Sequence, residues 1–515
     1  MLGLRGRTWQ AAFLPKAPNE AERVLYVKRR VWWLLPLVVF AFGGISYGFV
    51  RVCLITGWFD VFLAYWAFAC ASFALAVPVN YLARDFDLAR HDALVAGWRP
   101  LRYPSLDIWL PNCGEALEIL RNTWNHVAAL DYPGTLTVYC LDDVGLSAVS
   151  DMAQEFGFVY LSRPEKGWMK KSGNLRYAYQ HSSGEVIALF DADFCPRPDF
   201  LLELMPYIDL ELKVAIVQSA QYFRVDREQN WIERGAAQVQ EFFYRTCQVS
   251  RAAKCGAICC GTNALYRRAA LDQNGGMTLV PQGEDMRTGF DLERRGWLLS
   301  YVPLNLAMGL SPCDMSSYFK QQYRWCTGSL RLLSEPLFWE SNLPNKAKLC
   351  YLAGFNYYIQ SALYLFVLPS LIISLLVFFP QHFNIADYAV ILPAIAVMTV
   401  AYPLWHRCRF GPAAWSIRVV QQWTYVFAIF DFIREATIPW DATGSTVRSV
   451  ASTRRYSQFK FAVVGWNGLI TIAWGGLAVW RMAAGDWVSF VFVAAMGCYW
   501  VAVTYRVIFS LRSAR

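Results

Sequence analysis

Four acidic or aromatic stations lie in order along the chain, with apolar runs of membrane length on both sides. They are Asp142-Asp143, Asp191-Ala-Asp193, Gly283-Glu284-Asp285 and Gln321-Gln-Tyr-Arg324-Trp325. The first two follow apolar, β-rich runs at 136–141 and 186–190, so each acidic pair is expected at the carboxyl end of a strand. Open α/β sheets bind ligands at that edge, where loops from separate strands converge. Two acidic clusters meeting there repel each other unless a divalent cation lies between them. Mg²⁺ or Mn²⁺, hard cations that take oxygen ligands and bridge phosphates, fits that need. A diphosphate-bearing donor is then the expected substrate.

The chain has 515 residues, 56% of them hydrophobic, which is too apolar for an ordinary soluble enzyme. Its central third is too charged to sit in lipid, so one soluble domain plus a membrane region accounts for the length. The net charge of +9 comes without any nucleic-acid-binding motif and reads as basic flanks of membrane helices, with no nucleic-acid partner. A helix needs about 20 apolar residues to cross the hydrocarbon core. Runs of that kind occur at 31–55 and 58–82 before the soluble domain, and at 349–379, 388–405, 459–480 and 487–509 after it. Arg23, Lys28, Arg29 and Arg30 precede the first run and place the N-terminus inside. Six crossings return Arg512 and Arg515 to that same side. The segment 415–433 carries Trp415, Val419, Trp423, Val426 and Phe430 at helical spacing, with polar residues on other faces. It is expected to lie along the membrane interface as an amphipathic helix.

Three regions follow: 1–99 with the N-terminus and first two spans, 100–334 as the soluble domain, and 335–515 with interface helices, a loop and about four spans. Inside 100–334, short apolar strands at 106–110, 136–141, 186–190, 214–217 and 257–260 alternate with amphipathic stretches. That alternation predicts an α/β domain with a mostly parallel sheet wrapped by helices. Cys255, Cys259 and Cys260 lack a second Cys or His pair and read as small buried residues rather than a zinc site.

Taken in sequence, Asp-Asp, Asp-x-Asp, Glu-Asp and Gln-x-x-Arg-Trp resemble the processive family 2 inverting glycosyltransferases. That group includes the cellulose, mixed-linkage glucan, curdlan, chitin and hyaluronan synthases. Lys171-Ser-Gly-Asn174 and Gly261-Thr-Asn263-Ala are similar to further family motifs. The resemblance implies a GT-A-like cytosolic domain inserted between transmembrane helices, in a multi-pass plasma-membrane protein. It implies that Asp142 and Asp143 contact the uridine side of a UDP-sugar donor, and that Asp191 and Asp193 hold its diphosphate. Asp193 is then the metal ligand, and the cation a Lewis acid for the leaving group. Lys171 and Arg324 add charge to the phosphates. Asp285 becomes the base that deprotonates the acceptor, with Glu284, Gln321 and Trp325 against the growing glycan. A helix starting near Asp285 would lend its amino-terminal dipole to the site and favour the carboxylate form. Trp440 and Thr443, in Trp440-Asp-Ala-Thr443-Gly444, resemble a gating loop over the nucleotide.

Some residues depart from the family. Pro111-Asn-Cys113-Gly-Glu115 lacks a tyrosine found near the uracil in some bacterial cellulose synthases, and Gln218-Ser-Ala-Gln departs from Thr-Pro-Gln. The chain ends soon after the sixth run, so no cyclic-dinucleotide-binding domain is expected there, and regulation is left to accessory subunits or a homo-oligomer. Three functions compete. One is a processive synthase, UDP-glucose first and UDP-N-acetylglucosamine as in hyaluronan or chitin synthases second, secreting its β-glycan through its own channel. The others are a ceramide glucosyltransferase-like enzyme acting on a membrane lipid, and a polysaccharide-binding protein with a dead domain. The intact stations disfavour the last.

Overall fold

A computed structural model describes residues 14–57, 59–380, 389–406, 413–436 and 450–512. Two long helices come first, α1 (Val31–Thr56) and α2 (Phe59–Asn80). Strands β1 (Leu106–Asn112), β2 (Leu136–Asp142) and β3 (Val159–Leu161) follow, then helix α3 (Lys170–Gln180) and β4 (Val186–Leu189). Next come β5 (Cys195–Pro196), β6 (Val214–Ser219), β7 (Tyr222–Phe223), helix α4 (Trp231–Phe242) and β8 (Ala264–Arg267). The domain closes with α5 (Glu284–Glu293), β9 (Leu298–Val302), β10 (Ala307–Gly309) and α6 (Met315–Ser334). Beyond it run α7 (Asn345–Phe378), α8 (Ala413–Ile433), α9 (Val450–Ala483) and α10 (Trp487–Arg512).

The main sheet has seven strands in the order β3-β2-β1-β4-β8-β6-β9. Only β8 runs against its neighbours, so the sheet is mixed but mostly parallel. The order grows outward from β1 through β2 to β3, then jumps back to place β4 on the other side of β1. That reversal opens a crevice at the carboxyl ends of β1 and β4, where such sheets take their ligands. Strand β1 is buried along its whole length, as its continuous apolar run demands. This is the GT-A-like arrangement the motifs implied.

One expected strand is absent. Residues 257–260 form no strand, and the strand lies at β8 instead. The reason is local: glutamine side chains take the backbone groups that a ladder would need. Gln248 donates to the Ile258 carbonyl at 2.6 Å and accepts from its N–H at 3.0 Å. Gln218 accepts from the Cys260 N–H at 3.0 Å, and Gln221 donates to its carbonyl at 3.0 Å.

Among the described residues, five helices are long and apolar enough to cross a membrane, two before the domain and three after it. The second of the four spans expected after the domain is shorter: Ala389–Trp405 is apolar, but breaks into α-helical and π-helical turns. Pro393 and Pro403 interrupt its hydrogen bonding. The even count of crossings therefore does not stand on helix length alone. The expected interfacial helix is also different. Helix α8 packs on α6, α7, α4 and α10 and is buried on more than one face. Its polar residues point into protein: Gln421 and Tyr425 both donate to Gln322 Oε1 of α6, at 3.1 and 2.7 Å. Helix α6, which carries the Gln-x-x-Arg-Trp station, thus shares one apolar core with α4, α7, α8, α9 and α10.

Candidate active site

Asp142 ends β2 with its carboxylate fully engaged. It accepts from the N–H groups of Val144 and Leu146 at 2.9 and 2.8 Å, and from the Tyr160 hydroxyl at 2.9 Å. Asp143, also buried, forms a two-pronged pair with Arg163 at 2.5 and 2.8 Å and accepts from the Gly167 N–H at 3.1 Å. Both stand beside the crevice, yet neither offers a free oxygen; they shape the loops around it.

The second, third and fourth stations meet in one place with Lys171. The Lys171 ammonium pairs with Asp191, donates to the Gly261 carbonyl at 2.9 Å, and lies 4.0 Å from Glu284. The Asp191 N–H donates to Thr262 Oγ1 at 2.9 Å. Gly261 lies in the left-handed region, φ +72°, and a Cβ there would come within 2.7 Å of the Asp285 Cβ. A side chain at 261 would push the acid away, which is why the turn before β8 must be glycine. On α6, Gly328 faces Gly283 at a similar close approach, so the third station packs directly on the fourth.

Electrostatics join these groups into one field. Burial lowers Arg324, while Glu284, Asp191 and Asp285 oppose the shift. Burial also pulls Lys171 down, but Asp191 and Glu284 outweigh it and leave the ammonium raised. Burial and then Asp191 and Glu115 push the Asp193 carboxyl up to about 7. Glu115, whose carboxylate accepts from the Cys113 N–H at 2.6 Å, is pushed to about 7 by burial, the Asp191 and Asp142 charges adding to it. Asp285, in the first turn of α5, was expected to favour its charged form through the helix dipole. Burial and the adjacent Glu284 win instead and raise it to about 7, against the Met286 N–H and Lys171. A base poised near neutral pH is well matched to taking a proton.

Gln321 and Trp325 flank Arg324 on α6, and the Gln321 Oε1 is buried without a hydrogen-bond partner. Trp440 and Thr443 lie outside the described residues. Glu115, Arg163 and Thr262 escaped the sequence reading as site residues. Thr262 had a signal in its place in the Gly261-Thr-Asn263 turn, and Glu115 in the Pro111-Asn-Cys113-Gly-Glu115 stretch after the first strand; Arg163 had none.

Among the described residues, no group of three His, Cys, Asp or Glu side chains is arranged to hold a metal by itself. Asp191, Asp193 and Glu115 are hard-oxygen donors close enough for the charge of Asp191 to act on the other two. A cation such as Mg²⁺ binds through one or two carboxylates and completes its shell with substrate phosphates and water, so the donor set fits. Asp193 would hold it, and it would supply charge neutralisation at a departing diphosphate.

A profile of the family described as "Glycosyltransferase like family 2" matches residues 111–328. The UDP-forming cellulose synthase catalytic subunit of Pseudomonas fluorescens (strain SBW25) is 28% identical over 389 residues, 72% of this chain and 50% of that protein. The corresponding subunit of Xanthomonas axonopodis pv. citri (strain 306) is 30% identical over 256 residues, 48% of this chain and 35% of that protein. This chain thus spans half or less of the length of these relatives. Among solved structures, a mannosyltransferase from Pyrobaculum calidifontis in complex with GDP-Man and Mn2+ aligns with a TM-score of 0.49 and 14% identity, over 72% of this chain and 98% of that one. Residues 111–328, which carry the site, are similar to the family 2 glycosyltransferases, and the curated relatives they resemble are cellulose synthases.

Proposed function

We propose that the chain is a membrane-embedded, processive β-glycosyltransferase that polymerises a polysaccharide from a UDP-sugar, UDP-glucose first. The observation that carries this reading is the meeting of Lys171, Asp191, Asp193, Asp285 and Arg324 at one sheet edge, with Arg324 on a helix that shares its core with membrane-length helices. In this reading residues 100–334 are the catalytic unit. Asp142 forms the nucleoside side through the loop it orders, and Asp143 serves the donor through the loop that leads to Lys171. Asp191, Asp193, Lys171 and Arg324 bind the diphosphate, with Mg²⁺ or Mn²⁺ held by Asp193. Asp285 takes the proton from the acceptor hydroxyl as it attacks the anomeric carbon, and the sugar–diphosphate bond breaks on the opposite face. One such displacement inverts the anomeric centre. Glu284, Gln321 and Trp325 orient the acceptor, with tryptophan stacking on the sugar's C–H face.

Secretion through the chain's own spans belongs to the same proposal. A polar polymer cannot cross lipid unaided, because unpaired hydroxyls there cost roughly several kcal/mol each. Helix α9 carries Trp466 Nε1, Asn467 Oδ1 and Trp474 Nε1 buried without hydrogen-bond partners, polar atoms that a passing glycan can satisfy. The basic residues before α1 assign the N-terminus and, two crossings later, the catalytic domain to the cytosolic side of the plasma membrane; the C-terminus joins them if Ala389–Trp405 also crosses.

The test is protein reconstituted in sealed vesicles with the catalytic domain outward, given each labelled UDP-sugar with Mg²⁺ or Mn²⁺. A long glycan protected from added hydrolase supports the whole reading. Full digestion without detergent removes secretion alone. A single-sugar lipid would make the chain a lipid glycosyltransferase, and no product would remove the enzyme reading.

A further inference from the structure

The turn that leads into α3 is built in an unfavourable way. Met169 and Lys170, neither of them glycine, both lie in the left-handed region at φ 50° and 53°. Consecutive residues there persist only where surrounding structure holds them, and such strain gathers at functional positions. What holds this turn is Arg163. Its guanidinium donates to the Trp168 carbonyl and, at 3.1 Å, to the Lys170 carbonyl, bracketing the strained pair. The same side chain is fixed from behind by both oxygens of Asp143, which also accepts from the Gly167 N–H in that loop. Gly173 makes room for this: a Cβ there would lie 2.3 Å from Arg163 Nη1 and from the Trp168 carbonyl. The residue immediately after the turn is Lys171.

We infer that Asp143 and Arg163 act as a latch that holds the 167–170 turn in its strained form and so delivers the Lys171 ammonium to the Asp191 side of the cleft. Both oxygens of Asp143 are taken up within the latch, by Arg163 and the Gly167 N–H. Arg163 and Asp143 are positioning residues, and the second aspartate of the first station acts on the diphosphate only through Lys171. The chemistry served is recognition of a nucleoside diphosphate over its nucleoside, and the inference rests on the donor-binding reading of Lys171 above.

The experiment is a double-mutant cycle on the full-length protein in detergent, with Mn²⁺, measuring affinity for UDP and for uridine by calorimetry. Arg163→Lys keeps the charge but loses the fork, and Lys171→Met removes the ammonium. Each single variant is expected to weaken UDP by about tenfold, the worth of one charge-assisted contact. Uridine binding should stay unchanged, and the double variant should be no weaker than either single one. Losses that multiply in the double variant would overturn the latch, as would an equal weakening of uridine. Gly173→Ala presses on Arg163 without removing any charge and repeats the test if Arg163→Lys does not fold; a UDP affinity equal to wild type in that variant also overturns it. Wild-type protein that binds uridine and UDP equally would instead remove the donor-site reading itself.

Discussion

The loops after β2 and β4 each carry two aspartates, and the fold treats the two pairs in opposite ways. Asp142 and Asp143 receive their counter-charge and hydrogen bonds from the protein: three backbone N–H groups, a tyrosine hydroxyl, and a buried arginine. Asp191 and Asp193, joined by Glu115 and Asp285, are crowded together with Lys171 and Arg324 as the nearby cations, and three of these carboxyls are pushed to about 7. A carboxylate satisfied by the fold is a structural part. Carboxylates that the fold leaves in mutual repulsion store an electrostatic demand that a cation or a departing proton can meet. Paired aspartates at the ends of two strands separated by β1 are thus satisfied by the fold in one case and left crowded in the other.

Substitutions should separate the two groups. The largest effect is expected from Asp285→Asn, which removes the base but leaves the diphosphate contacts. Turnover should fall about 10²–10⁴-fold, with UDP affinity nearly unchanged. Turnover within about threefold of wild type, far short of that loss, would take the base role away from Asp285.

On the other strand, Asp143→Ala should act on stability first. It leaves the Arg163 guanidinium, only 3% exposed, buried without its carboxylate. Breaking a buried pair in this way costs about 3–5 kcal/mol. Denaturant unfolding of the purified protein measures it, and a loss below about 1 kcal/mol, typical of an exposed pair, would place Asp143 among the ligand-directed carboxylates.

The crowded group should reveal itself through pH. Asp193 is raised to about 7 from a reference of 3.8, so the folded protein holds a proton that the unfolded chain has released. Stability from this group is full below the lower value and is lost as pH rises toward the upper one. Without divalent cation, the thermal midpoint should therefore decline between about pH 4 and 7, by a few degrees. Mn²⁺ should flatten the slope, and so should Asp193→Asn, which should also weaken the metal dependence of UDP binding. An identical slope in the variant would move the titration, and the metal, to another carboxylate.

The smallest change is Tyr160→Phe. Asp142 keeps its two backbone donors, so the loss should be about 0.5–1.5 kcal/mol, visible as a small drop in the unfolding midpoint. A fall in UDP affinity with no change in stability would break the comparison from the other side.

Much of this was legible in the chain. The runs at 106–110, 136–141 and 186–190 became β1, β2 and β4 with errors of one or two residues, because a buried parallel strand is a local pattern of consecutive apolar side chains. Five membrane-length helices were equally plain, since length and hydropathy are properties of a segment by itself. The order of the acidic stations and the glycines at 261 and 283 also marked the site, because the carboxyl edge of a sheet collects loops wherever its strands run parallel.

Only the tertiary structure decided what each carboxylate does. Asp143 and Arg163 are twenty residues apart and no spacing rule links them, yet their pairing withdraws one acid from the ligand group. The helix dipole at Asp285 could be foreseen from sequence, but burial beside Glu284 could not, and burial was the larger effect. Residues 257–260 have strand-forming side chains, and three glutamines brought in from elsewhere took their backbone groups first. Helix α8 has an amphipathic pattern that suits a membrane surface, and Gln322 of α6 claimed its polar face. Hydropathy and propensity are written residue by residue, whereas charge, desolvation and hydrogen-bond competition depend on which distant groups the fold brings within a few ångströms.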